Sequence, residues 1–281
     1  KEHADVLISF LAPFNIFALA CNFGTGTPII AADRNDPTKI PSNTLVRKVR
    51  DFLYRFADGI VVQTKKNQSY FSRQVQKKSE IIYNPINLGE KAGSALQTAK
   101  AKKIVSVGRL MQQKNQKMLF RAFKKILEKY PDYQLVIYGE GSMRAELESY
   151  VKELKIEKSI LLPGNVTDVH DRIKDAELFV LSSDYEGMPN ALMEAMTLGL
   201  PSISTDCPCG GSRYWIEHKV NGQLFPVGDE KALTEAILYY IENPEKAEEM
   251  GQKAREKLQS ATLDKVYAEW KTYMEQVMLR A

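Results

Sequence analysis

The sequence predicts an α/β protein of two successive Rossmann-like units with parallel sheets, the first of them truncated. Three observations predict this. The chain has 281 residues, more than the ~100–200 that one hydrophobic core usually organises. From residue 101 onward, apolar runs of strand length alternate with amphipathic stretches of helix length, the pattern of a parallel sheet covered by helices on both faces. The same alternation fills the stretch before residue 100, without the strand and Gly-rich turn that normally open such a unit.

In chain order, the first strands are expected at 5–8, 28–31, 60–62 and 80–83, with helical stretches between them. Ala4-Asp5-Val6-Leu7-Ile8-Ser9-Phe10 follows Lys1 almost directly and reads as a buried strand, so the chain is read as an internal piece of a longer one. Gly24-Thr25-Gly26 leads into a strand rather than a helix and is therefore no dinucleotide fingerprint. Residues 88–103 are polar and rich in Gly, Ala, Lys and Ser, as linkers are. This divides the chain into a partial amino-terminal unit at 1–90, a linker at 91–102, a carboxy-terminal unit at 103–262 and a final helix at 263–281 that packs back on the first unit.

In the second unit strands are expected at 104–107, 134–138, 160–162, 178–181, 201–204 and 222–225. Helices are expected at 116–130, 142–154, 169–174, 189–198 and 231–241, then near 244–258 and 263–279, because apolar residues recur there every three or four positions.

The composition, 44% hydrophobic and 26% charged, is that of a globular soluble protein. The net charge of +4 is uneven, since residues 1–99 hold 13 Lys and Arg against 8 Asp and Glu. Arg47, Lys48, Arg50, Arg55, Lys65, Lys66, Lys77 and Lys78 could face anionic lipid or an anionic acceptor, although a solvated face is the plainer account. Cys21, Cys207 and Cys209 are too few and wrongly spaced for a tetrahedral metal site and fit a reducing cytoplasm. No apolar run approaches the ~20 residues of a membrane span, so contact with the inner face of a membrane would be peripheral.

The sharpest constellation is Glu186-Gly187-Met188-Pro189-Asn190-Ala191-Leu192-Met193-Glu194, which follows the strand at 178–181. A proline suits the first helical turn and Gly199 suits a carboxy-terminal cap. The free amides at the start of this helix attract anions. Glu186 would then lie in the turn and Glu194 about one helical turn further in. Taken alone, the two acids would be a capping residue and a solvated helix residue.

A second constellation, Val107-Gly108-Arg109-Leu110-Met111-Gln112-Gln113-Lys114, also occupies a strand-to-helix loop. Glycine admits a ligand close to the backbone, and Arg109 with Lys114 can clamp a diphosphate from two sides. Gly139 and Gly141 follow the next strand, and Asn165 and Val166 the one after. All four loops would meet at the carboxyl edge of one parallel sheet, where open α/β sheets bind ligands.

Together these residues resemble glycosyltransferase family 4, whose members are retaining, nucleotide-sugar-dependent enzymes of the GT-B architecture, from about Asp5 to the end of the chain. Ile82-Tyr83-Asn84-Pro85, Leu181-Ser182-Ser183 and Asn221-Gly222-Gln223-Leu224-Phe225-Pro226 match as well. The resemblance implies that Gly108, Arg109 and Lys114 hold the donor diphosphate, Glu186 the transferred sugar and Glu194 the ribose. Backbone groups of Gly187, Met188, Pro189, Asn190 and Ala191 would touch phosphate and sugar, Asn165-Val166 would receive the base, and Gly139 and Gly141 would wall the crevice.

Two stretches depart from the family pattern. Where many relatives carry a His near the reacting centre, this chain reads Asp33-Arg34-Asn35-Asp36-Pro37, similar to a polysaccharide-biosynthesis subgroup, which makes Arg34 and Asn35 the candidate acceptor-side residues. In Asp206-Cys207-Pro208-Cys209-Gly210-Gly211-Ser212-Arg213-Tyr214, Ser212 and Tyr214 replace a usual Pro and acid, and the two cysteines are read as structural.

No Asp-x-Asp occurs, so the carboxylate pair that commonly holds a diphosphate-bound metal is missing and a metal-independent reaction without cofactor is expected. The implied partners are a nucleotide-diphosphate sugar, UDP-linked before GDP-linked, and a saccharide or lipid-linked saccharide acceptor. Nucleic acid is disfavoured by the near-neutral second unit and by the two acids of the site. The competing readings are a nucleotide-binding fragment without turnover and a nucleotide-sugar epimerase of the same architecture.

Overall fold

The computed structural model describes residues 4–86 and 101–280. The amino-terminal unit places β1 (Leu7–Phe10), β2 (Ile29–Ala32), β3 (Gly59–Val62) and β4 (Ser79–Ile81) side by side in that order, all parallel. Helices α1 (Ala12–Asn22), α2 (Thr44–Leu53), α3 (Lys65–Tyr70) and α4 (Arg73–Gln76) connect them. β2 and β3 are buried along their whole length, which is why Ile29-Ile30-Ala31-Ala32 and Gly59-Ile60-Val61-Val62 carry no polar alternation. The first strand begins two residues later than the apolar pattern suggested, because Leu7 is the first residue in register with Ile29.

The carboxy-terminal unit contains β5 (Ala101–Val107), α5 (Gln116–Lys129), β6 (Gln134–Tyr138), α6 (Arg144–Glu153), β7 (Ile160–Gly164), α7 (Val169–Ile173) and β8 (Ala176–Leu181). It continues through α8 (Asn190–Thr197), β9 (Ser202–Thr205), α9 (Gly211–Trp215), β10 (Gln223–Phe225), α10 (Glu230–Glu242) and α11 (Pro244–Leu258). The six strands form one parallel sheet in the order β10-β9-β8-β5-β6-β7. Strand pleating splits each run between two cores. Ile104, Leu135, Ile137, Leu178 and Val180 face α5, α6 and α10, while Val105, Val136, Phe179 and Leu181 face α8, α9 and α11.

Most of the expected linker at 91–102 lies outside the described residues. Its last two positions are strand, since Ala101 N donates to Asp175 O at 2.9 Å and Ala101 pairs with Ala176. The polar, exposed start of β5 concealed this from a reading of hydropathy. The five-residue helix α9 is also an addition to the expected elements.

The last helix, α12 (Leu263–Met278), lies on the amino-terminal sheet, where Val266, Tyr273 and Val277 share a core with Ile30, Val61 and Ile82. Tyr273 Oη accepts from Ile60 N at 2.9 Å and donates to Lys78 O at 2.5 Å. Glycine at position 59 makes this approach possible, because a Cβ there would stand 2.8 Å from Tyr273 Oη and from Val277. The helix thus starts beside the second unit, where Ile86 N bonds Ala261 O at 2.9 Å, and ends on the first.

Arg50, counted among the surface cations of the first unit, is instead fully buried. It pairs with Asp33 at 3.7 Å and Asp51 at 2.7 Å, and donates to Ile40 O and Pro37 O. Such a cation survives burial only because its donors are filled. No described helix is long and apolar enough to cross a membrane.

Candidate donor site at the carboxyl edge of the second sheet

β5 and β8 are neighbours in the sheet, so the loops that leave their carboxyl ends run side by side. Hydrogen bonds join them. Asn115 Nδ2 donates to Asp184 Oδ1 at 2.7 Å, Ser182 Oγ to Lys114 O at 2.8 Å, Asp184 N to Gln113 O at 2.8 Å and Gln113 Nε2 to Tyr185 O at 2.8 Å. This places Lys114 Nζ 2.6 Å from Glu186 Oε1, with both side chains largely buried. Ser183 Oγ donates to the same oxygen at 2.6 Å. Gly108 lets Lys114 fold across the loop, since a Cβ there would lie 3.1 Å from Lys114 Cε. Arg109 is exposed beside them and has no side-chain ion pair among the described residues; its carbonyl holds Gln116 Nε2 at 2.8 Å. The two expected ligand groups, cation and acid, are therefore one ion pair.

Gly139 and Gly141 are explained by packing. A Cβ on Gly139 would fall on the carbonyl of Gly108, and one on Gly141 on the carbonyl of Leu110. The backbones are joined there by Gly108 N to Tyr138 O and Leu110 N to Glu140 O, each 2.9 Å. Asn165 is exposed after β7, and Val166, half-buried, packs against the core that β8 shares with α8, α9 and α11.

Pro189 is the N-cap of α8 rather than its first residue, and no side chain caps the helix. The first amides of α8, at Asn190 and Ala191, consequently lack both an intrahelical acceptor and a cap. Glu194 follows one turn on, half-buried; burial pushes its carboxyl above the usual carboxylate range, partly offset by the nearby charge of His170.

The turn at 186–189 rests on the β9–α9 loop. Cys209 Sγ donates to Glu186 O, and Gly211 is so close that a Cβ would fall on the carbonyl of Gly187. Trp215 Nε1 lies 2.8 Å from Met188 Sδ. Cys207 and Cys209 are buried free thiols, held up by desolvation, Cys209 at about 11, so neither is a thiolate at neutral pH. Tyr214 stacks on Tyr83 with ring centroids 4.3 Å apart.

From across the cleft the first unit contributes Arg34, Asn35, Gln63 and Asn84. The Arg34 guanidinium sits 5.3 Å from the Phe10 ring and 5.4 Å from the Trp270 ring and donates to Asn84 Oδ1 at 3.0 Å. Burial lowers it to about 10, so it remains a cation at neutral pH and offers no general base. The Asn35 backbone lies against Gly187, and its carbonyl accepts from Asn67 Nδ2 at 3.1 Å. Gln63 and Thr64 were invisible as site residues: they are polar residues directly after the buried strand β3, at its carboxyl end. Thr64 Oγ1 donates to Cys209 O at 2.6 Å across the two units.

With this geometry in view, comparison with known proteins decides the family. Residues 90–257 match the family described as glycosyl transferases group 1. The chain belongs to the group 1 glycosyltransferases. It is 31% identical over 274 residues, 93% of its length, to an N-acetylgalactosamine-N,N'-diacetylbacillosaminyl-diphospho-undecaprenol 4-alpha-N-acetylgalactosaminyltransferase of Campylobacter jejuni, of which it covers 73%. An uncharacterised glycosyltransferase of Methanocaldococcus jannaschii is 29% identical over 226 residues, 74% of this chain. The chain spans about half of that relative (55%) and about two thirds (65%) of a Haemophilus influenzae glycosyltransferase. Among solved structures, Anabaena HepE in complex with UDP superposes with a TM-score of 0.83 at 18% identity, over 97% of this chain and 79% of that one. TarM of S. aureus superposes at 0.82 and 19% identity, over 96% and 55%. The chain shares with these structures the GT-B arrangement of two parallel-sheet α/β domains.

Proposed function

We propose that the protein is a retaining, metal-independent family 4 glycosyltransferase that moves a hexose-type sugar from a UDP-sugar to a saccharide or lipid-linked saccharide in surface-polysaccharide assembly. The observation that carries this reading is the Lys114–Glu186 pair, 2.6 Å apart, beside the uncapped start of α8. Sugar transfer from a nucleotide builds negative charge on the departing diphosphate while the anomeric carbon becomes cationic. Lys114, Arg109 and the first amides of α8 would receive the diphosphate, Glu186 the sugar and Glu194 the ribose hydroxyls. A metal would be unnecessary because two cations and a helix end supply the charge. The acceptor would attack on the face that the diphosphate leaves, which retains configuration.

UDP is favoured over GDP because the Anabaena HepE and S. aureus TarM structures carry UDP. The lipid-linked acceptor is favoured by the Campylobacter relative, whose name specifies a diphospho-undecaprenol substrate. Peripheral membrane contact would use α2 and the turn that follows it at 54–56, where Leu45, Phe52 and Phe56 are exposed along with Lys48 and Arg55. Co-sedimentation with anionic vesicles, lost on Lys48→Glu with Arg55→Glu, tests that part.

Calorimetric titration with UDP, GDP and ADP in EDTA tests the donor site. One nucleotide should bind under chelation, and the Arg109→Ala, Glu194→Ala double variant should abolish it. Inverted product anomers would exclude retention, and UDP binding without transfer to any acceptor would leave the nucleotide-binding reading.

A further inference from the structure

We propose that Gln63 and Asn84 are positioning residues that complete the donor-binding turn from the opposite unit, so that the turn acquires its working geometry only when the cleft is closed. This rests on the glycosyltransferase reading for its consequence, but its geometry is independent of it. Gln63 is fully buried at the carboxyl end of β3, and its Oε1 accepts from Met188 N at 3.2 Å, in the middle of the turn. Its Nε2 donates to Asn84 Oδ1 at 2.7 Å. Arg34 Nη1 donates to the same oxygen at 3.0 Å. With both lone pairs of Oδ1 occupied, the Asn84 amide can direct only its Nδ2 outward, and Nδ2 donates to Asn190 Oδ1 at 2.5 Å, on the first residue of α8.

The turn is therefore held at two points, Met188 and Asn190, by a chain of amides whose far end is Arg34, itself clamped between Phe10 and Trp270. The close approach of the units is built into Gly187, where a Cβ would stand 2.5 Å from Arg34 O and 3.0 Å from Gln63 Oε1. Opening the cleft would return Met188 N and Gln63 Oε1 to water and free the residue next but one to Glu186. Small displacements at a reacting centre matter: a shift of about 1 Å can cost ~100-fold in rate. Arg109, Lys114 and Glu194, the side chains proposed to hold the nucleotide together with the first amides of α8, touch neither Gln63 nor Asn84 through any described hydrogen bond.

The test uses the whole chain with Gln63→Met and Asn84→Ala, the second at a half-buried loop position outside the hydrophobic core. Spin labels on exposed Cys21 and on an exposed Glu148→Cys report the distance between units without any substrate; Cys207 and Cys209 are buried from the label. UDP affinity and UDP-sugar cleavage are measured in parallel. Both variants should lengthen and broaden the distance distribution, lower cleavage by roughly 10- to 100-fold, and leave the UDP dissociation constant within about threefold. Unchanged distances in both variants would overturn the proposal, as would a loss of UDP affinity equal to the loss of cleavage. Shifted distances in a chain that binds no UDP would uphold the interdomain contact and refute the donor site instead.

Discussion

Lys114 Nζ and Glu186 Oε1 stand 2.6 Å apart although 72 residues separate them, and Ser183 Oγ shares the same carboxylate oxygen. Each of the two side chains therefore holds the other's geometry in the free protein.

Removing the cation should therefore be felt in the free protein. Lys114→Ala leaves a mostly buried carboxylate with a single hydroxyl partner and should cost about 1–3 kcal/mol of stability. Glu186→Gln, which keeps an acceptor for Ser183, should cost less while lowering sugar transfer. Chemical denaturation of both variants beside UDP titration checks the order, and equal stabilities would count against a pre-formed pair.

The Glu194 carboxyl is raised by burial, with His170 acting against it. Its folded value lies above the unfolded one, so its contribution to stability is present in full below the unfolded value and is lost as pH rises through the folded one. The proposed ribose binding would run in the opposite sense, because the hydroxyls would donate to the carboxylate form. UDP affinity should fall as pH is lowered through the folded value, from a higher pH than an ordinary glutamate would give. In Glu194→Gln the acid-side decline should vanish; a decline identical to wild type would assign it to another group.

Gly211→Ala sets a Cβ against the Gly187 carbonyl and 3.1 Å from the Pro189 ring. Neither neighbour is a flexible side chain, so the turn itself must move. A loss of about 1–3 kcal/mol is expected, together with a fall in donor cleavage larger than the fall in UDP affinity. Wild-type cleavage in this variant would show that the turn tolerates displacement.

The seat of α12 is tested by Gly59→Ala, which should destabilise by about 1–3 kcal/mol through contact with Tyr273 and Val277. Tyr273→Phe removes the acceptor of Ile60 N and the donor to Lys78 O. Because the two changes strike one contact, their combined effect in thermal melts should be less than the sum. Strict additivity would mean that the helix is held elsewhere.

The strand and helix series was legible wherever a residue's partner is its own periodic neighbour. Val105 and Ile104 alternate between the two cores as their spacing requires, and the helix after Glu186 is found within one residue of its expected bounds, starting just after the proline. The start of β5 was hidden because Ala101 and Lys102 are exposed, and α9 because Gly210 and Gly211 read as loop. Arg50 counted as a surface charge until Asp33 and Asp51 were found around it. Gly139 and Gly141 drew attention as ligand-facing turns, whereas the space beside them belongs to the backbones of Gly108 and Leu110.

The sequence by itself determined the two-unit α/β layout and the loops that carry Arg109, Lys114, Glu186 and Glu194, because periodicity and turn chemistry are local properties of the chain. Only the tertiary structure decided that Lys114 and Glu186 pair, that Arg34 serves Asn84, and that Gln63 reaches Met188. Those relations depend on strand order and on the facing of two sheets, which are set by packing among residues far apart in sequence and leave no periodic trace in it.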